Sequence, residues 1–563
     1  MESENYIWER VYNHPVAWNQ SFTPLSLPDM LMASASAHPD APLVDFMGRK
    51  YSYAQVLSGA RHVACGLITM GVKRGDRIGL YLPNVPHYVA AYYGIMLIGA
   101  TAVNFSPLYT VDELTHQVED SGTSLLFTLS AKALLPNALA VLNQSSLKHL
   151  VVGSIAGGLP MGKSLLYRVF HGDEAVERPD DPRVTAFSAL IANDGVCPPV
   201  TIDPLNDIAL LQYTGGTTGT PKGAMLTHQN LTANARQTAM LDPWRGEPDR
   251  VIGVLPLFHV FANTCVLNRT ISMGGEIIML PRFNAGQVLE AVERTQATAL
   301  PGVPTMFQAL LDHPKIGSTD CTSLRACVSG GAPLPLSVKE KFEALTGARV
   351  IEGYGLTESS GAVSSNPYDE RNRTGTIGQP IPGTRVKLVD REDPSRPAPP
   401  GEPGEIVFAG PQVMRGYWQR PEADAEVFIG EFLRTGDVGT IDADGYIRVV
   451  DRLKDMIAVG GFKVFPSQIE AILYRHPDVR EAIVIGIPDA YLGEKPKGFV
   501  SLQVGASLSG EAIKEWANAQ LGKHERLCDV AIRAELPKTL VGKLSRKELV
   551  AEERARAQQA SGT

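Results

Sequence analysis

Residues 213–223 read Tyr-Thr-Gly-Gly-Thr-Thr-Gly-Thr-Pro-Lys-Gly, the most informative run in the chain. Gly215, Gly216, Gly219 and Gly223 let backbone amides approach a ligand with no β-carbon in the way. Thr214, Thr217, Thr218 and Thr220 offer hydroxyl groups, and Lys222 adds a positive charge. Donors at this density suit the phosphates of a nucleotide better than they suit a plain Gly/Thr turn. No GxxxxGK[ST] can be read here, so the run is not a Walker A loop.

On both sides of it, from about residue 25 to 440, short apolar runs alternate with helical segments. The strand-like runs include 125–129, 149–153, 251–257, 276–280 and 325–331. Such alternation implies parallel sheets covered by helices. Thr110-Val-Asp-Glu113 and Ser337-Val-Lys-Glu340 have the capping-box pattern, and the second helix is expected to stop near Gly347. The charge-free stretch from Ile78 to Val111 is broken by Pro83, Asn84, Pro86, Gly94, Gly99 and Asn104. It reads as a buried strand–helix–strand unit rather than a membrane span. Residues 154–200 read as a surface excursion, in which 164–170 is expected to pack as a helix rather than touch a membrane. After residue 380 the texture changes. The runs 384–390, 404–410 and 445–451, with an Asp444-Gly445 turn, suggest an antiparallel unit. DRLKD (451–455) then precedes a final module in which Ser467-Gln-Ile-Glu470 is another capping box.

Composition sets outer limits. With 563 residues, 44% hydrophobic and 20% charged, the chain can bury a large core and is not disordered. Fifty-two Lys and Arg against 60 Asp and Glu leave a net −8, which excludes a dedicated nucleic-acid binder. Residues 451–563 hold 17 basic and 15 acidic side chains, +2, so the remainder carries −10. A slightly basic terminal module favours a polyanionic ligand. The six cysteines are dispersed, form no CxxC and fit a reducing cytoplasm, and MESENYIWER lacks the order of a signal peptide.

Three further segments carry polar groups after glycine turns or on basic loops. EGYGLTES (352–359) presents Thr357 and Glu358, and a carboxylate there could hold Mg²⁺ against phosphate oxygens. FLRTGDVG (432–439) presents Asp437, an acceptor for ribose hydroxyls, and LPKTLVGKLSRKEL (536–549) presents Lys543. No GxSxG, HExxH or Ser–His–Asp pattern appears.

These segments, in this order, resemble the adenylate-forming superfamily of acyl-CoA synthetases, luciferases and adenylation domains. LQYTGGTTGTPKGAMLTHQN, LPLFHVFA, NPYD, GPQVMRGYWQRPEAD and VDRLKDMI resemble the bacterial long-chain fatty-acid–CoA ligases in particular. The resemblance covers about residues 25 to 550. It implies an α/β fold with a large N-terminal domain (1–450) of two parallel-type sheet subdomains and a small β-barrel-like subdomain. A hinge at 451–455 and a small mobile α+β C-terminal domain (456–563) carrying the catalytic lysine would follow.

The resemblance also implies site roles. The 213–223 loop would hold the β- and γ-phosphates of ATP, with Gly330, Gly331, Ala332, Glu352, Gly353 and Tyr354 around the adenine. Thr357 belongs to the ATP site, Thr214 and Glu358 match Mg²⁺ positions, and Asp437 and Arg452 match ribose contacts. Lys454 is the hinge, Lys543 bridges carboxylate and phosphate, and Gly460 and Gly461 line the pantetheine path to CoA. His259 matches a position at the mouth of the acyl pocket, although such a residue in an apolar context is often a core histidine. The implied partners are a fatty acid, ATP and CoA, with no nucleic acid. The implied location is cytoplasmic, with peripheral contact at the inner face of a membrane and a homodimer left open. One departure stands out: LGKHERLCDV (521–530) lacks the proline of a Tyr-Lys-x-Pro-like stretch, which puts CoA contacts there in doubt.

The expected reaction is chemically coherent. A carboxylate is ionised at neutral pH and needs no base to attack the α-phosphate of ATP; it needs charge relief and alignment. Two other readings remain open. One is adenylation of another acid, medium-chain or aryl, or transfer to a carrier protein; the other is a sensor that binds acyl-AMP without turnover. Amino acids are disfavoured, since residues 257–275 hold no acidic side chain for an α-ammonium group.

Overall fold

The computed structural model describes residues 6–160, 176–214, 221–247, 249–460, 462–489, 491–503, 505–539 and 543–561. Two mainly parallel sheets form the body. In the seven-stranded sheet, Val184–Ala186, His149–Gly153, Thr123–Leu129, Arg77–Leu80, Thr101–Asn104 and Ile208–Thr214 run parallel, and Lys222–Thr227 closes the edge antiparallel. In the nine-stranded sheet, the parallel core includes Glu276–Met279, Arg250–Gly253, Ala299–Gly302, Ala326–Gly330 and Arg349–Tyr354. These strands are buried on both faces, as helix-covered parallel sheets require.

A five-stranded antiparallel sheet follows, built on Arg385–Val389, Gly404–Ala409, Phe432–Ile441 and Ile447–Arg452. A fourth sheet in the terminal module pairs Val479–Asp489 antiparallel with Gly493–Leu502, to which Asp529–Ile532 adds in parallel. Its own apolar core includes Ile469, Leu473, Val484, Val500 and Ile513.

Most sequence expectations meet their elements. Ile78–Val111 contains strand Arg77–Leu80 in part, helix Pro86–Leu97 and strand Thr101–Asn104. Thr110 caps helix Val111–Ser121 with a full capping box, and Gly347 ends helix Leu336–Thr346 at φ 72°. No helix among the described residues is long and apolar enough to cross a membrane.

Three expectations are corrected. Ser337 caps nothing, because the helix starts at Leu336 behind Pro335, which places Ser337 inside the first turn. Ser467 is likewise not a cap. Pro466 opens helix Pro466–Leu473, so Ser467 instead donates to the Val450 carbonyl at 2.5 Å, and Glu470 accepts from Arg546. Residues 154–200 are not wholly a surface excursion, because Val184–Ala186 extends a sheet and helix Phe187–Leu190 packs beside it. The stretch 164–170 lies outside the described residues.

Candidate functional site

The body sheets, the antiparallel sheet and the terminal module enclose a cleft of about 2950 Å³. Thr214 and Lys222 are paired across the hairpin whose loop carries the Gly/Thr run, so both ends of that run open on the cleft. Gly215, Gly216, Thr217, Thr218, Gly219 and Thr220 lie outside the described residues.

The hairpin is braced from two elements the motif does not contain. Tyr213 donates to Asp120 Oδ2 at 2.7 Å, and Arg420 pairs with the other oxygen of the same carboxylate. Trp418 donates from its indole to the Asp120 carbonyl at 3.2 Å and from its backbone to the Gly223 carbonyl at 2.8 Å. The Lys222 ammonium stands 5.3 Å from the Tyr417 ring centre, and the Tyr417 hydroxyl donates to Glu358 Oε1 at 2.7 Å. Sequence reasoning missed Asp120, Tyr417 and Arg420 as supports. Tyr417 and Arg420 stand in a run quoted for its resemblance, whereas nothing local marks Asp120.

The strand ends of the nine-stranded sheet supply the opposite wall. Gly330 ends one strand and Gly331 and Ala332 follow it, while Glu352, Gly353 and Tyr354 end the next, all lining the cleft. Burial raises the Glu352 carboxyl above its usual range, opposed by the Leu334 amide; among the described residues its Oε2 has no hydrogen-bond partner. Thr357 and Glu358 sit on the short turn Thr357–Ser359 beyond them.

Asp437 and Arg452 face each other in register on adjacent antiparallel strands. Asp437 accepts from the Tyr354 hydroxyl at 2.5 Å and from Arg452 Nε at 3.1 Å. Burial raises its carboxyl, and Arg452 and Tyr354 oppose that shift. The strand continues through Arg452, so the passage between sheets falls after it, on the turn Leu453–Asp455 that carries Lys454. Burial and the Arg452 charge lower the Lys454 ammonium.

Lys543 reaches this same wall from the terminal module. Its Nζ would lie 2.7 Å from a β-carbon built on Gly331, whose φ is +85°. Burial, then the Arg452 charge, brings its pKa down to about 8, and Asp437 opposes them. His259 lies in the cleft at the start of a helical turn, accepting on Nδ1 from Phe261 at 3.3 Å. Burial and the Lys543 charge bring it down to about 3, so it is neutral, both a packed residue and a wall of the cleft.

Ion pairs brace the terminal module internally and link it to the body. Arg546 grips both oxygens of Glu470 at 2.6 and 2.7 Å and reaches Asp455 at 3.2 Å. Arg480 bridges to Asp312 of the body at 2.9 Å, and Lys463 to Glu392 at 3.2 Å. Gly460 is exposed and does not line the cleft, and Gly461 lies outside the described residues.

No cluster of three or more His, Cys, Asp or Glu able to hold a metal occurs among the described residues. Thr214 and Glu358 offer a hydroxyl and one carboxylate. That donor set fits Mg²⁺, a hard cation that keeps waters and phosphate oxygens as its other ligands.

Residues 31–418 match the AMP-binding enzyme family, and residues 468–543 match the AMP-binding enzyme C-terminal domain. The chain is 37% identical over 551 residues to a long-chain-fatty-acid–CoA ligase of Bacillus subtilis, covering 97% of this chain and 98% of that protein. It is 38% identical over 542 residues to the enzyme of that name from Escherichia coli, covering 94% and 95%. Among solved structures, ATP-bound MatB from Rhodopseudomonas palustris superposes with a TM-score of 0.82 at 28% identity, covering 94% of this chain and 99% of that one.

Proposed function

Because this chain belongs to the AMP-binding enzyme family and is an adenylate-forming ligase, we propose that its substrate is a long-chain fatty acid, activated in two steps. In the first, the carboxylate attacks the α-phosphate of ATP, forming acyl-AMP and releasing pyrophosphate. In the second, the CoA thiol attacks the acyl carbonyl, AMP leaves with the electrons of the broken anhydride bond, and the thiol proton passes to solvent.

One observation carries this reading: Lys543, partly buried, packs against Gly331 near the Asp437–Arg452 pair, while Gly460 is exposed and does not line the cleft. A cation there meets the charge that develops between carboxylate and α-phosphate, the need of the first step only. Asp437 and Arg452 take the ribose, and the wall from Gly330 to Ala332 with Glu352, Gly353 and Tyr354 takes the adenine. Thr357 completes the ATP site beside Glu358. The loop from Thr214 to Lys222, with Gly215, Gly216, Thr217, Thr218, Gly219 and Thr220, takes the outer phosphates. Mg²⁺, held by Thr214 and Glu358, would neutralise those phosphates. His259, neutral, borders the acyl entrance. In the second step the module of 456–563 turns about Lys454, withdrawing Lys543 and bringing Gly460 and Gly461 to the pantetheine arm.

The six cysteines are free, as a reducing cytoplasm keeps them. Peripheral contact with the inner face of a membrane and a homodimer are compatible with this reading. A shorter or aryl acid is the second reading. It is favoured by Arg269, paired with Asp242 and with Asp249 at 2.8 Å on the lining of the same cleft, because an ionic wall suits an apolar chain end poorly. The test is an acyl scan of CoA-dependent AMP release with ATP and Mg²⁺, from short acids through oleate to an aromatic acid. A maximum with long chains is expected. A maximum with short or aromatic acids would support the second reading, and ADP as product would reject both.

A further inference from the structure

A second cavity, of about 590 Å³, lies where the edges of the two large sheets meet, and it shares no lining residue with the ATP cleft. Its walls come from helices Tyr53–Thr69 and Pro86–Leu97 and from strands Arg49–Ser52 and His149–Gly153. The volume is that of a small-molecule site, and the lining is mainly apolar, including Val44, Val56, Val89, Val152, Phe187 and Ile191.

Its polar groups are few and distinctive. Arg49 and Arg178 are exposed and line it together. Arg49 donates from one terminal nitrogen to the Gly157 carbonyl at 2.8 Å and stacks over Tyr51 at 4.9 Å. Arg178 donates from one terminal nitrogen to the Val184 carbonyl at 2.8 Å. Among the described residues neither meets a carboxylate, and each retains further N–H donors in the fork that suits a bidentate anion. Deeper in stands His87, edge-on to Phe187 at 4.7 Å; among the described residues neither ring nitrogen has a hydrogen-bond partner, and Nδ1 is sealed from solvent. Burial brings this imidazole down to about 4, so it is neutral and adds no charge to the interior.

We propose that this cavity is a second binding site, for a single-chain anionic amphiphile whose apolar chain lies along Val56, Val89 and Val152 and whose carboxylate head is held by Arg49 and Arg178. An anion with no apolar body would leave the walls unfilled. An uncharged chain would leave the two guanidinium groups without the partner their placement provides for. The assignment is independent of which acid the ATP cleft activates.

Equilibrium dialysis of radiolabelled dodecanoate against the full-length protein tests it. Wild type is expected to bind one more dodecanoate per chain than Ala90→Phe, whose ring would fill the cavity from helix Pro86–Leu97. The double variant Arg49→Gln/Arg178→Gln is expected to weaken that site at least tenfold, with an unchanged thermal midpoint. Dodecanol is expected to compete at least tenfold less well than dodecanoate. Equal stoichiometry in wild type and Ala90→Phe, unchanged affinity in the arginine variant, or equal competition by dodecanol would each overturn the proposal. Should Ala90→Phe fail to fold, the arginine variant and the dodecanol competition decide it.

Discussion

Gly331 and Lys543 occupy one another's space: a β-carbon on Gly331 would meet the lysine side chain, with Nζ only 2.7 Å away. The two residues come from different parts of the chain, the glycine just after strand Ala326–Gly330 and the lysine from the terminal module. Gly331→Ala would therefore displace the lysine as well as strain a backbone at φ +85°, a cost of about 1–2 kcal/mol. Adenylation is expected to fall about a hundredfold. In the Lys543→Ala background the same substitution should cost far less, because the two losses share a cause. Additive losses would show that Gly331 acts on something else.

The lowered pKa of Lys543 gives a pH signature with a definite sign. In the docked module the lysine titrates at about 8, against an ordinary 10.5. Below pH 8 both docked and solvated lysine are charged, so docking without nucleotide carries the full burial penalty. As pH rises from 8 to 10.5 the docked lysine is neutral, so docking releases a proton and becomes more favourable. ATP phosphates restore the charge. Proton uptake on ATP binding near pH 9 is therefore expected, measured by calorimetry in two buffers of different ionisation enthalpy, and absent in Lys543→Met. The adenylation kcat/KM of the free enzyme should fall about tenfold per pH unit above 8.

Asp120 holds the Tyr213 flank of the phosphate hairpin and pairs through its other oxygen with Arg420. Asp120→Asn keeps the shape and removes the charge, with about 1–3 kcal/mol of stability expected to be lost. The KM for ATP should rise about tenfold or more, since small displacements of a positioning loop are costly. Asp120→Glu should restore part of it. A fall in kcat with an unchanged KM would contradict the assignment.

Asp437 accepts from two partners and keeps the Tyr354 ring against the cleft. Asp437→Ala removes the acceptor proposed for ribose, and ATP affinity should drop about 10- to 100-fold by titration calorimetry. Tyr354→Phe keeps the ring and loses one donor, so a smaller loss is expected.

The sequence made the alternation of strands and helices legible because parallel strands are buried on both faces and read as continuous apolar runs, as at His149–Gly153. Motif order pointed to Thr214, Asp437, Arg452 and Lys543, which the fold gathers into one cleft from two sheets and a loop of the terminal module. Helix starts were less legible. Pro335 and Pro466 set them earlier than the Ser-x-x-Glu patterns suggested, and Glu470 serves a long-range ion pair instead. Asp120 was invisible because its partners lie 93 and 300 residues away, and no local pattern encodes such a contact.

In the proposed mechanism Lys543 serves the first half-reaction alone, and assaying the two half-reactions of Lys543→Ala separately puts that role to the test. Pyrophosphate release from oleate, ATP and Mg²⁺ is expected to fall about 10²- to 10³-fold. Thioester formation from supplied oleoyl-AMP and CoA should stay within about threefold of wild type, since that step uses the module with the lysine withdrawn. Equal loss in both half-reactions would contradict that role of Lys543.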